Sequence, residues 1–450
     1  MLNCPRWLLP ITSLVFGGLA IAFLVPLEAA SVKEHLEGFP DSDILAHSLR
    51  PWILGLLCLM PAIGVAAYHL GTTFDRYLAR QFTAIFLICL GALFGLWLLF
   101  DLNDNLSDFK GTNRYLSVVA FYLYRSPAIL MVILPYTLLL SLIYGLGKFS
   151  KSNEIIAMIQ SGTGIVRLSA PLVFAGLWCS IFLLSLNYHW APHAEGKRSE
   201  MVARANGWPI YDAKNVLYRD PASQRLWMVG AFPDNFQQGG QLYNVEITTM
   251  NPDNTLESRM TSPRAYWKRE SREWTFEEPI ITRFATGESP VYEKHEGSFL
   301  LKDWKETPSQ IIKPGLSVEH LGIPELSSWL ASPLARQTVS NNATYLTHWH
   351  YRWALPFTCV VTVLLAAPLS IHFSRRGGGS GIFLAVLFSV LMIFFSSIAL
   401  ALGESALLPP LLAAWLPNIG FGLLGLWLYH RRLTGRPIYQ SFKRLLTVNH

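Results

Sequence analysis

The stretch Lys148-Phe-Ser-Lys-Ser-Asn-Glu-Ile-Ile-Ala-Met-Ile-Gln-Ser-Gly162 combines a lone carboxylate with a dense apolar surface. It reads as a short helix. Ser152 suits an N-cap, Glu154 puts a negative charge in the first turn where the helix dipole favours it, and Gly162 is a natural stop. Ile155, Ile156, Met158 and Ile159 nearly encircle this helix with apolar side chains, so it must be buried against something. One reading is an interfacial or re-entrant helix packed on its own bundle. The other is a docking helix that enters a groove on a partner, with Glu154 pairing a basic residue there.

Other groupings carry less. Asp101, Asp104 and Asp108 follow three- and four-residue steps on one helical face and resemble a site for a divalent cation, but a solvated helix end is the plainer reading without further ligands. His189 and His193, with His348 and His350, have no cysteine or carboxylate at a spacing that completes a tetrahedral set. Their neighbours Trp190, Trp349, Tyr351 and Trp353 suit an interfacial aromatic belt instead. Gly145-Leu-Gly-Lys-Phe-Ser150 lacks the first glycine of a phosphate loop and has Phe149 where a hydroxyl must hold magnesium. No serine-hydrolase or zinc-protease pattern is present. The expectation is therefore a protein without catalytic residues, metal or cofactor of its own.

These residues sit among long uncharged tracts. Of the 450 residues, 51% are hydrophobic and only 15% charged, against roughly 25% charged in soluble domains. Eight tracts are long enough to span a bilayer: Leu8 to Ala29, Pro51 to Leu70, Phe82 to Leu102, Pro127 to Gly147, Leu168 to Tyr188, Trp353 to Phe373, Gly381 to Leu402 and Leu411 to Tyr429. The first has signal-peptide features, but its apolar run is longer than a signal core, which favours a retained span. The net charge of +6 does not imply nucleic acid, because the bases lie beside span ends. Arg76, Arg80, Lys148, Lys151, Arg167, Arg375, Arg376, Arg431, Arg432, Arg436, Lys443 and Arg444 all fall on one side if the spans alternate, and that side is expected to be cytoplasmic. Cys58, Cys89, Cys179 and Cys359 lie within spans as small packing residues.

Between Trp190 and Tyr345 the pattern turns polar and alternates with a strand period. Strands are expected at Arg225 to Phe232, Gln241 to Thr249, Arg264 to Lys268, Glu273 to Glu277 and Ile280 to Phe284, separated by turn residues such as Gly239-Gly240, Asn251-Pro-Asp-Asn254 and Glu288-Ser-Pro290. Leu226, Met228, Val245 and Ile247 are read as its inward apolar face. Helical flanks should tie this part to the spans, with a short helix over Ile323 to Ala331. The fold class expected is α+β: a polytopic helical bundle with an inserted β-jelly-roll-like domain outside the cytoplasm.

From about Phe74 onward the chain resembles the lipopolysaccharide export permease family of the LptF/LptG type. The resemblance rests on Arg76-Tyr77, Asp101-Leu-Asn-Asp104, Leu134-Pro135, Ser152-Asn-Glu-Ile-Ile-Ala-Met158 with Ser161-Gly162, Asn187 with Pro192, Pro356 and Pro368, Arg375-Arg-Gly-Gly378, Leu408-Pro-Pro410 and Ala414-Trp-Leu-Pro-Asn418, in that order. It implies a half-transporter of six spans in a bacterial inner membrane, with a periplasmic jelly-roll domain. It also implies four partners: a cytoplasmic ABC ATPase dimer that uses the ATP, a second permease, a periplasmic bridge protein and lipopolysaccharide. Asn153, Glu154, Ala157, Met158 and Gly162 would form the coupling helix that meets the ATPase. The division that follows is 1–73 for two extra spans, 74–190 for three family spans with the coupling helix near 150–163, 191–345 for the periplasmic domain, and 346–450 for the last three spans and a basic tail.

Two departures stand out. The first two spans are additional to the family pattern. G-type members also carry bases near the outer end of the first family span, whereas here that end has Asp101, Asp104 and Asp108, with Lys110, Arg114 and Arg125 nearest. Lipid phosphates require charge-assisted bonds, so Lys110, Arg114, Arg125 and Arg352 are the candidate head-group contacts, weighed against ordinary snorkelling. Two other functions stay open: a permease for a different envelope lipid, or an ABC-coupled mechanical or assembly protein that moves no lipid.

Overall fold

The computed structural model describes residues 8–38, 42–109, 114–162, 164–220, 223–233, 236, 240–253, 255–268, 271, 273–284, 289–302, 304, 306–331, 339–371 and 378–434. Arg375, Arg376, Arg436, Lys443 and Arg444, read above as orienting bases, lie outside them. Among the described residues, eight helices are long and apolar enough to cross a membrane, and each coincides with one of the eight tracts.

Helices α1 (Leu8–Gly38), α2 (Ile44–Ser48) and α3 (Arg50–Leu70) form an N-terminal hairpin with a short helix at its tip. They are followed by α4 (Thr73–Asn105), α5 (Arg114–Lys151), the short α6 (Glu154–Gln160) and α7 (Ile165–Tyr188). Short helices α8 (Trp190–Gly196) and α9 (Arg198–Asn206) lead into the β region. A return follows through α10 (Pro308–Ile312), α11 (Ile323–Ala331) and α12 (Val339–Ala354), which a 3-10 turn at Leu355–Phe357 joins to α13 (Thr358–Ser370). The chain ends its described part with α14 (Gly378–Glu404) and α15 (Pro410–Leu433).

Helix α13 is the hub, packed against α5, α7, α14 and α15. Its Val363, Leu365 and Leu369 share a buried cluster with Leu138 and Leu142 of α5, Leu172 of α7 and Leu428 of α15. Lipid is as apolar as leucine, so close approach at small residues has to hold such helices together. A Cβ at Gly176 would lie 2.6 Å from Val363 Cγ2, and one at Gly425 would lie 2.9 Å from Leu364 Cβ. The N-terminal hairpin stands apart from this hub: α1 packs on α3, and α3 packs on α7.

The β region holds β1 (Tyr211–Asp220), β2 (Arg225–Pro233), β3 (Leu242–Met250), β4 (Leu256–Lys268), β5 (Glu273–Glu277), β6 (Ile280–Arg283), β7 (Val291–Lys294) and β8 (Ser298–Leu301). All are antiparallel, in the order β1-β2-β3-β4-β5-β8. The long β4 divides the sheet, pairing Arg264–Lys268 with β5 and Ser258–Thr261 with β6, which carries β7. Val245 and Ile247 point inward as expected, but on β2 the facing is reversed. Trp227 and Val229 are fully buried, whereas Met228 is 47% exposed. Both parities of Leu226-Trp-Met-Val229 are apolar, so alternation alone does not choose the face; the large Trp227 ring does.

The interior is filled rather than open. Trp227, Trp274, Phe276, Phe232 and Phe236 form its core, and Trp304, Ile311 and Ile312 close it from the segment after β8. Glu306 fixes that segment. Its carboxylate takes hydrogen bonds from Arg225 Nε at 2.7 Å and Ser223 Oγ at 2.8 Å, while its carbonyl accepts from Trp274 Nε1 at 2.8 Å. Trp274→Ala should therefore destabilise the β region by about 3–5 kcal/mol through the cavity it leaves. Thermal unfolding of the purified full-length chain, followed by protease resistance of the β region, checks this.

Candidate functional site

Helix α6 begins without the expected cap. Asn153 occupies the N-cap position in a left-handed conformation (φ 58°) and makes no side-chain capping bond. Asparagine tolerates that region better than other non-glycine residues. Ser152 instead lies with its hydroxyl 2.8 Å from Glu154 Oε1. Gly162 ends the segment with φ 90°, where a side chain would strain the backbone.

The two readings of this helix occupy different faces. Ile155 is fully buried in the cluster that includes Leu78 and Phe149, with Met158 and Ile159 packed beside it. Ala157, Gln160, Ser161 and Gly162 are exposed, and Asn153 and Glu154 are half-buried beside them. A surface of small and polar residues next to one carboxylate is thus displayed at the end of the bundle where Lys148, Lys151 and Arg167 also lie. Tyr77 of α4 donates its hydroxyl to Glu154 Oε2 at 3.0 Å. A second tie runs from Arg167, at the start of α7, to Asp75 of α4 at 3.5 Å. Asp75 completes a capping box with Thr72 that fixes the first turn of α4. The carboxylate of Glu154 is thus joined to α4 through Tyr77, one residue past the turn that Asp75 caps. Sequence reading did not find this tie; the Arg76-Tyr77 pair marked the position without showing what the hydroxyl touches.

At the opposite end, the basic residues face inward. Arg125 is 7% exposed. It contacts Asp101 of α4 at 3.0 Å and both oxygens of Glu195 of α8 at 3.0 Å, and its guanidinium lies 5.3 Å from the Trp97 ring. Tyr122 adds a hydroxyl bond to Asp101 at 2.9 Å. Arg352 is buried too, donating to Asn187 Oδ1 at 3.2 Å and to the carbonyl of Glu319. Neither guanidinium is offered to a lipid phosphate in this conformation. Lys110 lies outside the described residues, as does the side chain of Arg114. Asp101 is drawn to Arg125, while Asp104 and Asp108 are exposed, so the three carboxylates do not converge. Beside them a cavity of about 360 Å³ opens between α4 and α5, walled by Leu96, Trp97, Phe100, Val132 and Tyr136, with Asp101 and Asp104 at its outer edge.

The histidines are distributed through the neck between bundle and β region. His348 bonds Glu404 at 2.7 Å, and His189 Nδ1 lies 2.7 Å from Glu325 Oε1 with the His193 ring stacked on it at 5.0 Å. Burial pushes the Glu325 carboxyl up. Charge and hydrogen bonding from His189, with His47 and Arg50 behind it, outweigh burial and hold the group well below the usual carboxylate range. A carboxyl depressed in the folded state adds stability that is present above its unfolded value and lost as pH falls through the folded one. Acidifying from pH ~4 to ~2, below the unfolded carboxylate value, should therefore loosen the neck, and His189→Gln should flatten that response. Amide exchange over residues 186–196 and 318–331, corrected for intrinsic rates, reads both.

Comparison with known proteins returns one family. The description "Lipopolysaccharide export system permease LptF/LptG" matches residues 76–431. The chain is also similar to the lipopolysaccharide export system permease protein LptG of Escherichia coli strain K12, at 21% identity over 373 residues, which are 80% of this chain and 98% of that protein. The LptG of Escherichia coli O6:H1 strain CFT073 matches to the same extent. The matched residues run from the opening turn of α4, beside Tyr77, to the basic end of α15.

Proposed function

This chain belongs to the LptF/LptG family of lipopolysaccharide export permeases, and on that premise we propose that it is a half-transporter that lifts lipopolysaccharide out of the inner membrane and passes it toward a periplasmic bridge. The observation that carries the proposal is α6, with Glu154 held half-open beside a small exposed surface and hydrogen-bonded to Tyr77 near the start of α4. No phosphate-loop sequence is present in the chain, so the energy is supplied by a cytoplasmic ABC ATPase dimer that docks on Asn153, Glu154, Ala157 and Gly162, with Met158 bracing the helix on the bundle from behind. Its closure moves α6, and the hydrogen bond between Glu154 and Tyr77 carries that movement into α4.

A second permease completes the lateral cavity, and the α4–α5 groove supplies an apolar wall within the usual size of ligand sites. Lifting several acyl chains needs external work, since each buried methylene is worth about 0.8 kcal/mol. The β region faces the periplasm in this reading and receives the lipid. The filled core around Trp227 and Trp274 then represents a closed state that opens for the chains. Arg125 and Arg352 hold the outer ends of the spans in place and reach a head group only after their internal partners release them. With Lys110 and Arg114, they remain the candidate head-group contacts.

That same filled core favours a second reading, in which the ATPase moves a mechanical lever and no lipid passes. Lipids retained on the purified complex discriminate. Lipopolysaccharide enriched over its membrane abundance supports export; phospholipid alone points to another envelope lipid or to the lever.

A further inference from the structure

The two N-terminal spans precede the residues that match the family, yet their tip is bonded into the neck. The hairpin is held at three heights. Within the bundle, Trp178 of α7 donates its indole to the Met60 carbonyl of α3 at 3.1 Å. Where α7 ends, Tyr188 donates its hydroxyl to the Ala46 carbonyl of α2 at 2.8 Å. Beyond it, Ser328 of α11 receives α2. The Asp43 amide lies 2.9 Å from Ser328 Oγ, and His47 Nε2 lies 3.2 Å from the same oxygen.

The proton count at Ser328 orders this contact. Its single hydroxyl proton goes to the Pro324 carbonyl at 2.8 Å. The oxygen must then accept from both the Asp43 amide and His47, which makes His47 the Nε2–H donor. Asp43 also caps α2 through its side chain, accepting from Leu45 and Ala46. Behind α2, Arg50 pairs with Glu28 of α1 at 2.5 Å and the His35 ring stacks on His47 at 4.5 Å. Ser328, His47 and Arg50 are all buried.

Tyr188 and Ser328 belong to the two limbs of the neck, the chain leaving the bundle and the chain returning to it. These limbs already touch. His189 pairs with Glu325, and a Cβ on Gly322 would lie 2.6 Å from the Tyr188 carbonyl. We propose that the N-terminal hairpin is a clamp that holds both limbs in register, with Tyr188, His47 and Ser328 as its positioning residues. It thereby sets how the β region stands on the bundle during lipid hand-off. The hand-off clause rests on the export function; the clamp itself does not.

The test is amide exchange on the full chain in its assembled complex, with export measured in parallel. Ser328→Ala and His47→Phe remove bonds across the contact, while His47→Gln keeps an amide donor in place of the imidazole. Exchange over residues 43–48 and 318–331 should rise about tenfold in the first two variants and stay near wild type in the third, with α6 and β3 unchanged. Lipid released per ATP should fall in the same two variants while ATP turnover holds. A variant lacking residues 1–71 keeps the test decisive if a point variant fails to fold. Unchanged exchange over 318–331 in that deletion and in Ser328→Ala would overturn the clamp even where export is demonstrated. Raised exchange in a complex whose cargo is not lipopolysaccharide would leave the clamp standing and remove the export reading instead.

Discussion

Glu154→Lys is expected to abolish productive docking of the ATPase, lowering nucleotide-stimulated turnover of the complex by about 30-fold or more, because removing one partner of an interfacial charge pair costs roughly 2–5 kcal/mol and reversal adds repulsion. The substitution also breaks the bond from Tyr77 and sets a third cation beside Lys148 and Lys151. Glu154→Ala should give a smaller loss, since it removes the charge without opposing it. Tyr77→Phe separates the two roles of the carboxylate. It deletes one hydrogen bond, worth about 0.5–1.5 kcal/mol, and should weaken coupling while leaving docking intact. Pulldown of the ATPase with each variant, followed by turnover, reads these outcomes. If both Glu154 variants retain the partner and normal turnover, the assignment of α6 as the coupling element is wrong.

Arg125→Ala is expected to destabilise the outer end of the bundle by about 2–3 kcal/mol, less than for a fully buried pair, because the two carboxylates it leaves unpaired are half-buried. Arg125 joins α4 through Asp101 to α8 through Glu195, and its guanidinium packs over the Trp97 and Phe121 rings. Its loss costs charge balance and packing together. Combining Arg125→Met with Asp101→Asn and Glu195→Gln should recover much of the deficit, because no uncompensated charge then remains. Thermal unfolding of the detergent-solubilised protein distinguishes this from a head-group role. A phosphate-binding arginine at an exposed site would leave the unfolding temperature nearly unchanged when replaced.

The spans were legible because hydrophobic length is a local property and lipid imposes it directly. The strands beginning at Arg225 and Glu273 were legible because turn residues bound them. The three that were missed explain themselves. Tyr211–Asp220 intersperses Asp212, Lys214 and Asn215 among its apolar residues, and β7 and β8 are four-residue strands with little buried surface. The helix around Glu154 was legible from its apolar belt, but its cap was not. Ser152 and Asn153 are both good cap residues, and the left-handed turn at Asn153 decided between them. The partners of Arg125 were illegible for a different reason. Glu195 is 70 residues away, and nothing in the local pattern says that α8 folds back over α5. The hairpin contact at Ser328 spans 285 residues from Asp43 and belongs to the same class.

In the proposed cycle this permease converts ATP hydrolysis by a docked partner into movement of lipopolysaccharide. The most direct measurement is ATP-dependent transfer of labelled lipopolysaccharide from proteoliposomes that hold this chain, its partner permease and the ATPase to a soluble acceptor bridge protein. Transfer that requires ATP and collapses in Glu154→Lys, with phospholipid left behind, is the predicted result. ATP hydrolysis stimulated by this chain with no lipopolysaccharide moved would contradict it.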